Sequence, residues 1–440
     1  MPKRTLPTLL LVLVTIPSLA AQPAGPAAVQ VERDYDLLIK NGRVIDPRNA
    51  VDAVRDVAVK DGRIAAVAAD IPADRALKTV DARGLYVTPG LIDIHVHVFP
   101  GEKTGDYAGG DWSVYPDGFT LRSCVTTVTD VGTSGWRNFD DFKRRIIDRS
   151  KTRVTAFLNI VGAGMGSGSI EQNVDDMDVK ATADKALAHK GVVVGIKSAH
   201  YNGRDWIPYE RAAEVGRLAD IPVMVDFGGN VRAGRTLMEL FTKYFRAGDI
   251  YTHMYGGRRG EQDDTSGGPS AAMVEGRKRG VFFDVGHGGA SFRYATAVPM
   301  IKAGFLPDSI STDLHTSSMN SAMKSMINLM GKVMAMGVPL TDVIRMSTWN
   351  PAQQIKLEQL GHLSVGAPAD IAVLRLAKGD FGFVDPVGGR IASAERLECE
   401  MTVRDGKVLY DLNGLIADPW ETLPADARGG DPRWDATRGH

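Results

Sequence analysis

The chain has 440 residues and a formal net charge of −1, with 44% hydrophobic and 24% charged residues. This composition is typical of a globular protein, and the length suits one large domain together with a smaller one. No cluster or stripe of lysine and arginine stands out, so the sequence does not indicate a protein that binds nucleic acid.

The first 20 residues have the pattern of a secretory signal peptide. A basic start precedes an apolar stretch from Leu6 to Ile16, and small residues follow at Ser18 and Ala20. The apolar stretch is well short of the roughly 20 residues that a membrane-spanning helix needs, which disfavours a membrane anchor. We therefore expect cleavage after Ala20 or Ala21, an exported protein that is periplasmic or secreted, and no stable membrane insertion.

Short β-rich segments follow, from residue 31 to residue 88. The pairs Asn-Gly, Asp-Gly and Arg-Gly at residues 41–42, 61–62 and 83–84 predict tight, hairpin-like connections. Similar β character returns at residues 356–412, which we expect to join residues 31–88 in one small β-sandwich domain. Residues 413–440 are rich in proline, glycine and charge, which indicates an extended tail.

Between these segments, residues 89–355 alternate apolar, β-rich runs with helical or loop stretches. Such alternation predicts a parallel sheet covered by helices on its outer face, and eight units predict a (β/α)8 barrel of the TIM type. The eight runs are residues 91–98, 125–132, 153–160, 191–199, 221–229, 249–257, 280–289 and 308–316.

The chain has two cysteines, Cys124 and Cys399, which fall in different predicted domains. A framework of disulfides would need more cysteines and would suit a much smaller chain. We therefore predict that each is a small buried hydrophobic residue rather than half of a disulfide.

The stretch PGLIDIHVHV places His95 and His97 two residues apart in a predicted strand. Residues at this spacing point to the same face, so the two imidazoles are expected to lie side by side. Two neutral imidazoles suit a metal ion, whereas the alternative is a pair of core histidines that bind backbone carbonyls.

The other polar residues favour the metal. In such barrels the active site lies at the carboxyl ends of the strands. Six of the nine histidines fall at or just past these ends, together with buried charges that need partners. These residues are His95, His97, Lys197, His200, Asp226, His253, His287, Asp313 and His315.

Several motifs, in this order and spacing, resemble the amidohydrolase superfamily of metal-dependent hydrolases. The HVH of the first strand, GIKSA, THMYGG and STDLHT resemble its metal-binding strand ends. GHLSVGAPADIAVL resembles its return to the small β-domain, and FDVGHGGASF resembles its dihydroorotase-related amidohydrolase/deacetylase branch. The resemblance covers nearly all of the chain after the signal peptide.

The resemblance implies a metal centre with one or two Zn2+ or other divalent ions. His95 and His97 would bind one metal, His253 the second, and a carboxylated Lys197 would bridge the two. Asp313 would bind metal and act as general base, while a metal-activated hydroxide attacks the scissile carbonyl. For Lys197, a salt bridge to Asp226 or Asp313 is the alternative.

Two positions depart from the family pattern. The fifth strand usually ends in histidine, and here Asp226 stands in its place. Asp226 is either a carboxylate ligand or the sign of a weakened second site and a mononuclear enzyme. Ala199 stands where related enzymes often have an arginine, and His200 follows it, so we assign His200 to substrate binding.

His287 and His315 complete the expected substrate-binding residues. His287 could donate a hydrogen bond to the oxyanion or be a glycine-loop residue at the barrel rim. His315 could orient Asp313 or contact the substrate.

The sequence therefore predicts an exported deacetylase or amidohydrolase that cleaves an amide or ester of a small acylated substrate. Opening of a cyclic amide is one alternative. A non-catalytic periplasmic binding protein on the same fold is another, although such a protein has little reason to retain Asp313 among the metal ligands. A homo-oligomer is compatible with the sequence.

Overall fold

The structure, a computed structural model, describes residues 33–101, 112–166, 170–228 and 234–423. The predicted signal peptide and residues 424–440 of the predicted tail lie outside the described residues. Among the residues described, no helix combines the length and the apolar character needed to cross a bilayer.

The strands of the described residues fall into two sheets. In chain order they are β1 (Tyr35–Asp46), β2 (Val51–Lys60), β3 (Arg63–Ala68), β4 (Ala76–Asp81), β5 (Tyr86–Pro89), β6 (Leu91–Val96), β7 (Val125–Gly135), β8 (Arg153–Asn159), β9 (Val193–Ser198), β10 (Val223–Val225), β11 (Ile250–Tyr251), β12 (Phe282–Phe283), β13 (Ile371–Val384), β14 (Arg390–Arg404) and β15 (Lys407–Asp411).

Strands β6 to β12 form the barrel sheet, in which each strand pairs with the next along the chain. The pairs are parallel. The eighth predicted strand contributes only bridges: Ser309 pairs with Asp284 beyond β12, and Leu314 pairs with Val96 of β6. These bridges close the sheet, which confirms the predicted (β/α)8 barrel.

Helices connect the barrel strands and cover them. α3 shows how sequence sets a boundary, because Pro208 stands in its first turn and Asp220 ends it with a left-handed φ of 53°. The α-helices of the described residues are α1 (Phe139–Phe142), α2 (Val179–Ala188), α3 (Ile207–Ala219), α4 (Leu237–Glu239), α5 (Ala271–Lys278), α6 (Tyr294–Lys302), α7 (Thr316–Met319), α8 (Met326–Ala335), α9 (Leu340–Ser347) and α10 (Trp349–Gln354).

The small β-domain contains strands from both ends of the chain, in the order β15-β14-β13-β5-β1-β2-β3, with β4 beside β1. Val373 of β13 pairs with Val87 of β5, so the C-terminal segment joins the N-terminal one directly. Val44, Val57 and Val403 lie in the shared apolar core. The predicted association of the two segments is therefore confirmed.

Only one of the three predicted N-terminal turns is a hairpin. Asp61 and Gly62 both have positive φ and join the paired strands β2 and β3. Gly42 instead lies inside β1 at a register shift, where a Cβ would come 2.4 Å from Val87 Cγ2. The turn at residues 83–84 connects β4 to β5, which both pair with β1 rather than with each other.

The prediction that the two cysteines are unbonded is wrong. Cys124, just before β7, and Cys399, in β14, form a disulfide with Cα atoms 5.5 Å apart. The sequence could not show this because the residues are 275 positions apart and meet only where the small domain packs on the barrel. Arg153 adds a second link between the domains through ion pairs with Asp370 and Asp405.

Candidate metal centre

One cavity of about 370 Å³ contains eight of the nine residues predicted for the site. His287 is the exception. The cavity lies where the barrel strands end, as the carboxyl-end rule requires. Its lining is His95, His97, Trp112, Met165, Lys197, His200, Asp226, His253, Gly289, Ala290, Ser291, Asp313, His315 and Ser317.

His95, His97 and Asp313 form the tightest group of metal-binding atoms among the described residues. One ligand atom from each lies within 4.8 Å of the others. Asp313 Oδ1 is 3.1 Å from His97 Nε2 and 3.6 Å from His95 Nε2. All three residues are buried. Burial alone would raise the pKa of Asp313, but the imidazoles of His95 and His97 hold that pKa well below its usual range.

Hydrogen bonds fix the tautomer of His95. Thr252 Oγ1 donates to Asp284 Oδ2 (2.8 Å), so it accepts from His95 Nδ1–H at 3.0 Å. Burial would raise the pKa of Asp284, but the nearby His95 and hydrogen bonds from the Ser309 and Ser311 hydroxyls hold it below its usual value. Burial lowers the pKa of His95 to about 3. The ring is therefore neutral, and its Nε2 lone pair faces Asp313.

His97 has a similar arrangement. Its Nδ1 lies 3.0 Å from Thr133 Oγ1, and Thr133 is hydrogen bonded to the buried Asp130. Partners of this kind orient a metal-binding imidazole.

Asp93 shares the strand with the two histidines but does not join their group. Its Oδ1 accepts hydrogen bonds from the backbone amides of Thr312 (3.0 Å) and His95 (3.3 Å). Burial raises the pKa of Asp93 to about 7. The residue therefore ties β6 to the segment that carries Asp313.

Lys197 extends along β9 into the cavity and is 1% exposed. Gly132 makes room for it, because a Cβ there would lie 2.7 Å from Lys197 Cγ. Burial lowers the pKa of Lys197. Among the described residues, no hydrogen bond or ion pair reaches its Nζ, so the structure does not contain the alternative salt bridge to Asp226 or Asp313.

Asp226 has a partner on each oxygen. Oδ1 accepts hydrogen bonds of 2.9 Å from Arg259 Nη2 and from the Gly228 amide. Oδ2 lies 3.1 Å from His200 Nε2 and 3.4 Å from His253 Nε2. Although burial would raise it, Arg259 and His253 hold the pKa of Asp226 well below the usual value.

His200 lies between two carboxylates. Its Nδ1 is 2.9 Å from Glu171 Oε2, on the side opposite Asp226. Burial lowers the pKa of His200, but hydrogen bonds to Asp226 and Glu171 outweigh this and raise it to about 10. The imidazole is therefore a cation that balances the charge of Asp226.

His253 points its Nε2 towards Asp226. Its Nδ1 donates a 2.5 Å hydrogen bond to the Gly286 carbonyl, and its Nε2 lies 3.4 Å from Asp226 Oδ2. His200, His253 and Asp313 all have positive φ, at 54°, 63° and 50°. Such conformations are uncommon outside glycine and cluster at functional sites.

His315 is a hydrogen-bond donor to the cavity. Its Nδ1 accepts from the Ser318 amide (3.3 Å) and lies 2.8 Å from Ser317 Oγ. Burial lowers the pKa of His315, so the neutral ring carries its proton on Nε2. Trp112 lies beside it, with ring centroids 5.3 Å apart.

The structure places His287 behind the cavity. It is fully buried, stacks on Phe292 and hydrogen bonds to Lys332. Its position therefore does not support the predicted contact with substrate. The glycines around it let the chain turn, so the side chain faces away from the cavity.

The residues that sequence reasoning missed act behind the cavity lining. They are Thr252, Asp284, Arg259 and Glu171. Their contacts, such as that of Thr252 with His95 and that of Arg259 with Asp226, join residues that lie far apart in the chain. A buried aspartate in an apolar strand, as at Asp284, is a usable signal, whereas Glu171 follows no pattern.

The donor set fits divalent metal ions. Two imidazoles and an ionised carboxylate converge on one point, and a third imidazole, that of His253, faces a second carboxylate, that of Asp226. The buried Lys197 amine without a polar partner would otherwise be costly. Carboxylation would convert it into an anionic ligand, whose charge bound metal ions would balance.

Comparisons with known proteins agree with this chemistry. A family model described as the amidohydrolase family matches residues 293–409. A protein from Brucella anthropi named deacetylase is 33% identical over 347 residues, which cover 77% of this chain and 83% of the relative. A crystal structure of an adenine deaminase has a TM-score of 0.77 at 28% identity, and covers 86% of this chain and 100% of its own. A crystal structure of a dihydroorotase has a TM-score of 0.72 at 26% identity, and the match covers 85% of this chain and 99% of the dihydroorotase chain.

Proposed function

This chain belongs to the amidohydrolase superfamily and is a metal-dependent hydrolase of carbon–nitrogen bonds. We propose that it is an exported deacetylase. Its substrates would be small acylated molecules, first N-acyl amino acids and acetylated hydroxy acids. The observation that carries the proposal is the convergence of His95, His97 and Asp313 in the cavity that also receives the buried Lys197 amine.

The ligand set would comprise His95, His97 and Asp313 for one ion, and His253 with Asp226 for another. A carboxylated Lys197 would lie between them. When bound, divalent ions of this kind polarise a carbonyl and lower the pKa of water. The hydrogen bonds of Thr252 and Thr133 orient His95 and His97 for this role.

Asp313 would transfer the proton. It is ionised because His95 and His97 lower its pKa, so it can accept a proton from the attacking water. It would then deliver the proton to the leaving nitrogen or oxygen. The Nε2–H of His315 lies in the same cavity and would donate a hydrogen bond to the substrate.

Export is supported by two features. The first 20 residues resemble a cleavable signal peptide, and a disulfide such as that between Cys124 and Cys399 persists in oxidising compartments. Intact-mass analysis of the protein from a periplasmic fraction tests this point. A chain that begins after Ala20 or Ala21 supports export, and an unprocessed cytoplasmic chain contradicts it.

Cyclic amide opening is the second candidate, because a dihydroorotase structure matches over 85% of this chain. The zinc-loaded protein should be assayed for acetate release from N-acetyl amino acids and O-acetyl hydroxy acids, and for ring opening of dihydroorotate and hydantoins. Acetate release supports the proposal, whereas ring opening alone favours the second candidate. No turnover of any amide or ester would favour a binding protein.

A further inference from the structure

A buried lysine contacts His287 behind the cavity. Lys332, on α8, is 0% exposed, and its Nζ donates a 2.8 Å hydrogen bond to His287 Nε2. The same amine donates to the Ala322 carbonyl and lies 5.8 Å from the centroid of the Phe292 ring. No ion pair joins it to a carboxylate of the described residues.

A lysine in such a place is unfavourable for the fold. Burial, with a contribution from Lys324, lowers the pKa of Lys332 to about 7, because the charged amine loses its hydration. A methionine has a similar length and would fill the same space without this cost. Hydrophobic replacement of buried charges is often neutral or stabilising.

His287 is held as a neutral acceptor for this amine. Burial and the nearby Lys332 lower the pKa of His287 to about 3. Its Nδ1–H donates to the Gly288 carbonyl at 2.8 Å, so its Nε2 lone pair is left for Lys332. The stacked ring of Phe292, 4.7 Å away at 14°, fixes the imidazole plane.

The turn that carries His287 contacts two residues of the metal centre. Gly288 packs so closely on Asp313 that a Cβ would lie 2.3 Å from its Oδ2. The Gly286 carbonyl accepts the hydrogen bond that orients His253. The backbone of residues 286–288 therefore sets the position of both Asp313 and His253.

We propose that Lys332 and His287 are positioning residues, which fix the 286–288 turn from behind and thereby place Asp313 and His253. This inference rests on the proposed function, since it concerns the same centre. Lys332 acts through His287, and neither side chain touches the substrate.

The test uses Lys332→Met and His287→Phe in the full-length, metal-loaded enzyme. His287→Phe keeps an aromatic ring for stacking and removes both hydrogen bonds. We expect each variant to lower kcat by about 10- to 100-fold, the usual effect of removing a residue that supports metal ligands. KM should change little, and the double variant should be no slower than the slower single one, because the two residues act as a unit. Lys302→Met, at an exposed lysine on α6, is the matched control.

Thermal stability separates positioning from a structural role. A lysine kept for positioning predicts that Lys332→Met melts at or above the wild-type temperature while kcat falls. A lysine kept for stability predicts a lower Tm with kcat preserved at permissive temperature, which would overturn the inference. Additive losses in the double variant would also overturn it.

A readout without turnover distinguishes this inference from the proposed function. The visible absorption bands of the Co2+-loaded protein report the ligand geometry directly. Bands that shift in Lys332→Met and in His287→Phe, but not in Lys302→Met, support positioning even where the wild type turns over no substrate. Unchanged bands in both variants would refute positioning while leaving a wild-type activity, and hence the proposed function, intact.

Discussion

Arg259 Nη2 donates a 2.9 Å hydrogen bond to Asp226 Oδ1. The guanidinium balances the charge of this carboxylate, which lines the cavity. Among the described residues, loss of Arg259 would leave Asp226 Oδ1 with the Gly228 amide as its remaining hydrogen-bond donor, which is unfavourable for a buried charge. The guanidinium thus orients Asp226 so that its second oxygen faces His253.

Arg259→Met is therefore expected to release Asp226 from this orientation. We predict about 10- to 100-fold lower kcat/KM and a loss of the second metal equivalent, with the first retained at His95 and His97. Metal counting by mass spectrometry after dialysis checks this. Arg259→Lys should keep part of the wild-type activity and metal content, because lysine retains the positive charge. Unchanged metal content and activity in Arg259→Met would show that the pair is not needed by the site.

Asp313→Asn tests the assignment of the general base. The amide has nearly the same shape but cannot accept the proton, so we expect turnover to fall by about 10²- to 10⁴-fold. Metal content should stay near that of the wild type. Loss of metal together with activity would show that Asp313 is chiefly a ligand.

The buried neutral His287 predicts acid sensitivity of the fold. Its pKa is about 3 in the folded state, against an unfolded value near 6.5, so between these values the unfolded chain binds the extra proton. Its contribution is therefore lost as the pH falls below about 6.5, and amounts to about 1 kcal/mol between pH 6.5 and 5.5.

Urea unfolding of the metal-free protein at these two pH values measures this contribution of His287 to the free energy of unfolding. His287→Phe should reduce the pH dependence by about that amount, and the comparison cancels the opposite contribution of Asp93, whose folded pKa is raised to about 7 by burial. An identical pH dependence in the two proteins would refute the assignment of His287 as neutral and buried.

The disulfide between Cys124 and Cys399 predicts a redox-dependent stability. Reduction or Cys399→Ser should lower the free energy of unfolding by about 2–4 kcal/mol, since the link constrains the unfolded chain. Cys124→Ser/Cys399→Ser should equal the single variant. Two titratable thiols in the untreated, denatured protein would contradict the disulfide.

Much of the fold was predictable, because apolar runs alternate with helical stretches and the i, i+2 spacing puts His95 and His97 on one face. The carboxyl-end rule then gathers residues such as Lys197 and Asp313, which lie far apart in the chain. The eighth predicted strand forms only bridges, because Asp313 within it has a φ of 50° and is not extended.

The features that could not be predicted from the sequence depend on side-chain direction and long-range packing. His287 has a strand-end position like that of His253, yet the glycine turn points it at Lys332. The pairing of Arg259 with Asp226 and that of Thr252 with Asp284 require three-dimensional neighbours. The disulfide depends on how the two domains pack, which local patterns do not encode.

Anomalous scattering at the zinc edge, from a crystal of the zinc-loaded protein, shows whether metal ions bind in this cavity and how many. We expect a strong peak bounded by His95 Nε2, His97 Nε2 and Asp313, and a second peak between His253 and Asp226, with extra density on Lys197 Nζ. A map with no anomalous peak in this cavity, or with zinc only at surface residues, would contradict this expectation.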